Sequence, residues 1–363
     1  MLLDTAPSSG SPESPGSRAR SADGTSPEHP VPRRRNSTRA LGLLLSCAAL
    51  LLIVLLSLMV GSRSMSPGEV WHGLFHATGT ADDVVVGEVR VPRTLLGVLA
   101  GAGLGLAGSV MQALTRNPLA DPGLLGINAG ASAAVVTATS FLGVTSLTGY
   151  VWFAFLGAGT VSVLVYAIGG SRAATPVRLA LAGTAVTAAL FGYINAVQLL
   201  DSTALEKMRF WTVGSLASAN SGIVVRVAPF LLAGVVLALA LARPLNALAL
   251  GEDAARALGA NLTRTRALAM VTVTLLCGAA TAACGPIVFI GLMVPHLVRA
   301  LTGPDQRWIL PCSAVLAPVL LLGADVLGRV VTRPAELQVG IVTALVGGVL
   351  FVHLVRRRKV AQL

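Results

Sequence analysis

Ten long apolar runs constrain the fold of this 363-residue chain more than any other feature. A helix needs about 20 mostly apolar residues to cross the ~30 Å hydrocarbon core of a bilayer, and most of the runs reach that length. The chain is 54% hydrophobic and 12% charged, whereas a soluble domain carries roughly twice that share of charge. We therefore predict an all-α, polytopic membrane protein with about ten transmembrane helices. The runs cover residues 40–61, 94–115, 124–144, 150–169, 177–200, 225–242, 267–284, 287–301, 308–327 and 337–355.

The distribution of charge predicts the orientation of these helices. If both termini lie in the cytoplasm, 19 of the 27 Lys and Arg residues fall in the cytoplasmic segments or at their edges. That excess follows the positive-inside rule, so we expect a multi-pass protein of the cytoplasmic membrane with its N- and C-termini inside. Residues 1–39 contain six prolines and eight serines and are expected to form a disordered cytoplasmic tail. The ten-helix domain is then 40–357, and 358–363 form a second, short cytoplasmic tail.

The second run contains glycines at helical spacing. Gly97, Gly101 and Gly105 recur every four residues, with Gly108 beside them, so one helix face is small enough for another helix to approach closely. Residues 103–108 also fit the GxGxxG pattern of dinucleotide-binding folds, but that pattern requires a preceding strand, and here the glycines lie inside an uncharged run. Three polar or helix-breaking residues at the end of the run are candidates for the translocation path or for helix packing: Gln112, Asn117 and Pro118.

Charged residues mark the segments between the runs. Arg90 and Arg93 precede the second run and Arg329 ends the ninth, all on the side predicted to face outward. They are either anchors that reach the lipid headgroups or a docking surface for an acidic partner. On the same side, the sequence from Ser66 to Glu69 is a capping box and predicts a short surface helix.

One cytoplasmic segment, residues 243–266, has the pattern of a short amphipathic helix. Glu252 and Asp253 suit a helix N-terminus, and Gly259 suits its end. Because a helix this short is unstable alone, it must pack on its own bundle or on a cytoplasmic partner.

Several kinds of chemistry are excluded. The chain has no GxxxxGK[ST] motif and only two lysines, so we expect no nucleotide site and no enzymatic activity, with ATP used only by another chain. His72 and His76 lack a third ligand nearby, and no metal site is predicted. Ion-coupled carriers usually keep a carboxylate inside a span. The acidic residues here fall in loops, tails or span ends, and Asp325 comes closest to a span interior.

Eight motifs, in order along residues 60 to 357, resemble the membrane permease subunits of ABC importers for iron–siderophore complexes, haem and vitamin B12. The motifs lie at residues 90–112, 116–122, 126–131, 179–183, 248–259, 285–296, 324–329 and 336–343. The chain departs from the family pattern at Gln338 and Val349, where prolines are usual, and this should straighten the last helix.

This resemblance implies a type II ABC importer permease fold and a set of partners. They are a second permease subunit, identical or paralogous, two cytoplasmic ATPases that bind Mg-ATP, and an extracytoplasmic binding protein. The permease itself is expected to bind no cofactor and no nucleic acid. The expected cargo is an iron–siderophore complex, with haem or cobalamin as alternatives. An ion-coupled secondary transporter is the alternative from another class.

The resemblance also assigns roles to particular residues. Arg90, Arg93 and Arg329 would pair with glutamates of the binding protein. The residues that would engage the ATPase are Leu250, Gly251, Glu252, Ala255, Leu258 and Gly259. The turn Thr175, Pro176 and Val177 would form the cytoplasmic gate.

Overall fold

The chain folds into a bundle of helices. A computed structural model describes residues 33–61, 63–144, 146–170 and 176–357, and these residues form helices, turns and loops with no strand. Ten helices occupy the positions of the ten apolar runs, which confirms the predicted all-α fold. They are α1 (Arg33–Met59), α4 (Val91–Thr115), α5 (Ile127–Phe141), α6 (Leu147–Gly170), α7 (Pro176–Leu200), α9 (Ser221–Ala240), α12 (Leu262–Cys284), α13 (Ile290–Thr302), α14 (Gln306–Val331) and α15 (Val339–Arg357).

The boundary of the N-terminal tail differs from the prediction. Helix α1 begins at Arg33, seven residues before the predicted start at Ala40. Arg, Asn, Ser and Thr are tolerated in the first turns of a helix, so the polar composition of this stretch did not reveal its helical state. The predicted tail therefore shortens to residues 1–32, which lie outside the described residues, as do 358–363.

The helices differ in length. Seven helical segments among the described residues are long and apolar enough to cross a membrane. Helices α5, α13 and the apolar part of α15 are shorter. With 13 residues, α13 is about 20 Å long and cannot span the hydrocarbon core alone. The end of α12, directly before the non-helical residues 285–289, is tied to the bundle, since the Ser215 N–H donates to the carbonyl of Cys284 at 2.7 Å. Irregular backbone at membrane depth is stable only when it is held by protein in this way.

Helix α4 lies at the centre of the bundle, and its glycines face two neighbours. A methyl group added at Gly101 would lie 2.6 Å from the Cα of Pro318 in α14, and one at Gly105 would lie 2.5 Å from the Cβ of Ala317. At Gly108 the added methyl group would collide with the carbonyl of Gly291 in α13. The small face therefore lets two helices approach the α4 backbone, as happens where helices pack within lipid.

The peripheral helices expose broad apolar faces. On α1, Leu44 and Leu45 are each more than 60% exposed, and on α7 Leu199 and Leu200 are each 88% exposed. Apolar surface of this extent is covered by lipid or by another subunit in a membrane protein.

Five shorter helices join the long ones. They are α2 (Pro67–Phe75), α3 (Ala81–Val84), α8 (Ser202–Trp211), α10 (Ala242–Ala249) and α11 (Glu252–Ala257). The capping box that predicts α2 is present, because Ser66 and Glu69 exchange both of its hydrogen bonds. A π-helical segment, Val85–Arg90, joins α3 to α4, and a 3₁₀ turn, Pro122–Leu125, precedes α5. Helix α15 is continuous through Val349, in agreement with the absence of proline there.

Candidate functional sites at the two ends of the bundle

A buried ion-pair cluster lies at one end of the bundle. Arg93, at the start of α4, donates to the Asp325 carboxylate from Nε at 3.0 Å and from Nη2 at 2.8 Å. Its Nη1 donates to Glu336 at 2.7 Å. Asp325 is 1% exposed and Arg93 is 6% exposed. This end is called the arginine-cluster end below.

Arg329 completes the cluster from the other side of the same carboxylate. Its Nη2 lies 2.8 Å from the carboxylate of Asp325, and Asp325 precedes Arg329 by one helical turn in α14. Its Nη1 donates to the carbonyl oxygens of Ser57 at 3.0 Å and Val60 at 2.7 Å. One buried carboxylate and two arginines therefore tie α4, α14 and the end of α1 together.

Arg90 makes a separate clamp at this end. Its guanidinium donates to the carbonyl oxygens of Leu58 and Arg63, each at 2.6 Å. These bonds fix the last turn of α1 and the chain just after it to the start of α4.

The exposure expected of the three docking arginines is wrong. Arg90, Arg93 and Arg329 are 5%, 6% and 2% exposed, and their guanidiniums are occupied by groups of the same chain. The reason is Asp325, which lies inside the bundle and draws two arginines inward to balance its charge. Arg333, on the loop after α14, is exposed and contacts none of the cluster.

The predicted amphipathic segment forms two short helices at the opposite end of α4, about 37 Å away along the helix axis. Leu248 of α10, Ala255 of α11 and Leu262 of α12 form a small buried cluster that holds the segment to the bundle. Between them, Gly251 has a φ of +103°, a conformation that a side chain would strain, and Gly259 has a φ of +79°. This end is called the α10–α11 end below.

The segment presents apolar side chains to the exterior. Leu250 and Leu258 are each 67% exposed and stand on either side of α11. The Glu252 carboxylate, at the start of α11, accepts a hydrogen bond from Arg266 at 2.5 Å and forms an ion pair with Arg256 at 3.5 Å. The arrangement is a platform anchored to the bundle with two exposed leucines, which suits contact with another protein.

The candidate translocation residues lie close to the same end. Gln112 is fully buried, and its amide donates to the carbonyl of Leu292 at 2.9 Å. It also lines a cavity of about 420 Å³ with Arg116, Arg299 and Gln306. Asn117 accepts from the backbone N–H of Leu119 at 2.9 Å and shapes the turn that contains Pro118. Gln112 thus packs helices together within this chain, and its position on the translocation path remains a prediction.

The predicted gate is only partly described. Thr175 lies outside the described residues, Pro176 begins α7, and Val177 is 68% exposed. The role of this turn as a cytoplasmic gate therefore stays a prediction.

A polar brace at the α10–α11 end could not be foreseen from the sequence. Asn246 of α10 donates to Asp305 at 2.6 Å and accepts from the Gln306 N–H at 2.8 Å. Burial opposes ionisation of Asp305, but the hydrogen bonds from Asn246 and Arg307 outweigh it and lower the pKa of Asp305. The brace fixes α10 to the N-terminus of α14.

One histidine of the predicted pair, His72 of α2, contacts a carboxylate. The ring centroids of His72 and His76 are 6.4 Å apart, and His72 Nδ1 lies 3.1 Å from Asp83. Across the described residues, no group of three or more metal-ligating side chains comes together.

Known proteins resemble this chain over most of its length. The ferric enterobactin transport system permease protein FepD of Escherichia coli (strain K12) is 46% identical over 327 residues, covering 88% of this chain and 96% of FepD. The hemin transport system permease protein HmuU of Yersinia pestis is 36% identical over 316 residues, covering 85% of this chain and 95% of HmuU. A solved structure described as an inward-facing metal-chelate type ABC transporter matches with a TM-score of 0.78 at 29% identity, covering 87% of this chain and 99% of that one. Residues 49–357 match the model of the FecCD transport family, and the chain belongs to that family.

Proposed function

We propose that this chain is the membrane permease subunit of an ATP-driven importer that carries an iron–siderophore complex into the cytoplasm. The observation that carries the proposal is the 46% identity with a ferric enterobactin permease along nearly the whole of both chains. The fold supports it, since the matching metal-chelate transporter has the same helical architecture. The test is uptake into vesicles that contain the permease, its ATPase and its binding protein, with ATP inside. ATP-dependent uptake of ferric enterobactin supports the proposal, and its absence for every ferric siderophore tried opposes it.

Haem and cobalamin are the alternative cargoes. The 36% identity with a hemin permease keeps haem in consideration, but the identity with the enterobactin permease is higher. Competition in the same vesicles separates them, because excess haem or cobalamin should leave siderophore uptake unchanged if the first proposal is right.

The ATPase is expected to bind at the α10–α11 end. Support comes from the two exposed leucines, Leu250 and Leu258, on a platform anchored to the bundle. The chain has no P-loop motif, so Mg-ATP would be bound and hydrolysed by two partner ATPases, and closure of these would move α11 and the helices attached to it. Leu250→Asp should weaken ATPase association, whereas Arg264→Gln, an exposed change on the neighbouring helix, should not.

The binding protein is expected to dock at the arginine-cluster end. Because Arg90, Arg93 and Arg329 are buried, their role in this proposal is to hold the surface in shape, and exposed Arg333 would meet the partner. Arg333→Glu should weaken docking by charge repulsion without disturbing the fold. Arg93→Glu would instead place a third carboxylate beside Asp325, so it tests stability more than docking.

The proposed orientation places the α10–α11 end and both termini in the cytoplasm. The excess of Lys and Arg in the segments at that end supports it. Labelling of a single cysteine introduced at Arg333 or at Arg264, in intact cells, distinguishes the two sides. Labelling of the Arg264 position from outside would reverse the orientation.

An ion-coupled carrier is the alternative from another class. Asp325 is a buried carboxylate of the kind such carriers use, but two guanidiniums within hydrogen-bonding distance occupy it. Uptake by the purified chain alone, driven by a pH or Na⁺ gradient, would favour this alternative.

A second permease subunit, identical or paralogous, would cover part of the exposed faces of the peripheral helices. The turn at residues 175–177 would be the gate between the two subunits.

A further inference from the structure

An open cavity of about 660 Å³ lies at the α10–α11 end. It is bounded by the first turns of α1, by α10 and by the N-terminus of α14. Three arginines line it, one from each of these elements: Arg39, Arg243 and Arg307. The exposed Leu250 and Leu258 form part of its rim.

The charges in this cavity are not balanced. Asp305 is the acidic residue on its wall, and it is already occupied by Asn246 at 2.6 Å and by Arg307 at 3.2 Å. Among the described residues, Arg39 and Arg243 have no acidic partner, and the Nε of Arg39 is buried without a hydrogen-bond acceptor. Two positive charges therefore line the cavity uncompensated, and a buried guanidinium N–H without an acceptor favours an anion.

The surroundings of the cavity are those of a membrane interface. Half-buried Trp308 follows Arg307 in the first turn of α14, where aromatic side chains commonly mark the headgroup level. On α1, the residues just after Arg39 turn apolar, and Leu41, Leu44 and Leu45 are 56%, 66% and 62% exposed. The apolar run of α1 therefore starts within one turn of Arg39, which places the cavity at the level where the bundle enters the bilayer.

We propose that this cavity binds the phosphate of an anionic phospholipid, with Arg39 and Arg243 as its ligands. Basic pockets between transmembrane helices at the cytoplasmic surface are sites of this kind for anionic lipid headgroups. The exposed Leu250 and Leu258 at the rim favour a lipid over a free phosphate ion, which would gain nothing from apolar side chains. The inference rests on the membrane-spanning fold and the proposed cytoplasmic side of this end, and it does not depend on the cargo.

A lipid at this position would link three elements. Its headgroup would bridge α1 to α10, and its rim contacts would include Leu250 and Leu258, next to the segment proposed to engage the ATPase. Anionic lipid would therefore stabilise the platform from the side that faces the bilayer.

Native mass spectrometry of the full-length chain with its partner ATPase tests the proposal. The complex is supplied with phosphatidylglycerol or with phosphatidylcholine, and the bound lipid is counted. We expect wild type to retain phosphatidylglycerol preferentially, and Arg39→Gln with Arg243→Gln to reduce its retention by about tenfold or more. Arg264→Gln, which removes the same charge from an exposed position outside the cavity, is the matched control and should leave retention unchanged. Arg39→Lys with Arg243→Lys keeps the charge and should restore most of the binding.

Three outcomes would overturn the proposal. Equal retention of phosphatidylcholine and phosphatidylglycerol by wild type would show that charge does not select the lipid. Binding of inorganic phosphate at these arginines without retention of phosphatidylglycerol would assign the cavity to a free anion. Weaker ATPase association in the double glutamine variant, with phosphatidylglycerol retention intact, would assign it to an acidic segment of the ATPase. Because siderophore uptake is not measured, failure here is separate from failure of the proposed function.

Discussion

Asp325→Asn should destabilise the permease strongly, although it changes one charge and almost no volume. The side chain is 1% exposed, and two arginines donate to it at 2.8–3.0 Å. Asparagine keeps one acceptor oxygen but leaves Arg93 and Arg329 facing each other without the charge between them. Removing one member of a buried ion pair typically costs 3–5 kcal/mol. Because the amide retains some hydrogen bonding and Glu336 still contacts Arg93, we expect about 3 kcal/mol, or roughly a 100-fold change in the unfolding equilibrium.

Glu336→Gln is the matched control for that prediction. Its side chain is 31% exposed, and among the described residues it forms an ion pair with Arg93 only, so the same change of charge should cost about 1 kcal/mol or less. Unfolding of the purified chain in mixed detergent micelles, followed by steric trapping or by loss of fluorescence, gives both free energies.

A double-mutant cycle identifies the physical cause. Asp325→Asn combined with Arg329→Gln removes the carboxylate and one of the two arginines it balances. The pair should then be less destabilised than the sum of the single changes by at least about 1 kcal/mol. The reasoning is refuted if the free energy of unfolding of Asp325→Asn lies within about 1 kcal/mol of the wild-type value, or if the effects of the two changes on that free energy are additive.

Three other changes test the packing, the α10–α11 segment and the polar brace. Gly108→Ala should cost up to about 3 kcal/mol in the same unfolding assay, since its methyl group meets the backbone of Gly291. Gly323→Ala, in open space on α14, should be nearly neutral. Glu252→Gln should lower cargo uptake per ATP hydrolysed about fivefold or more in reconstituted vesicles, and unchanged stoichiometry would contradict this. Asp305→Ala should cost about 1 kcal/mol at pH 7. Because the fold lowers the pKa of Asp305, its contribution is present above about pH 3.9 and is lost as the pH falls further, so the variant and wild type should converge in acid.

Much of the fold could be predicted from the sequence because membrane spans are governed by local rules. Long uncharged runs form helices in lipid whatever their neighbours, and this gave the ten helices and the small face of α4. Helix boundaries were harder to predict, since the start of α1 at Arg33 falls in polar residues that are compatible with either helix or coil. The start of α13 was also hidden, because residues 287–289 belong to a predicted apolar run but form part of a non-helical segment.

The sites were harder to predict because they depend on contacts between distant residues. Asp325 and Arg329 are four residues apart, and their pairing is readable on a helix. Arg93 lies 232 residues from Asp325 in the sequence, so nothing local indicates that they meet. Without that partner, the arginines looked like a free outer surface. The brace between Asn246 and Asp305 was hidden for the same reason.

The contact of α4 with its neighbours also limits how this protein can move. At Gly101 and Gly108 the backbones of α14 and α13 lie against α4 with no side chain between them. Sliding or rotating one of these helices by a single residue would replace a glycine with a larger group and force the backbones apart. We therefore expect α4, α13 and α14 to move as one rigid body during transport. Opening and closing would be left to the peripheral helices, whose larger side chains can change rotamer as they tilt.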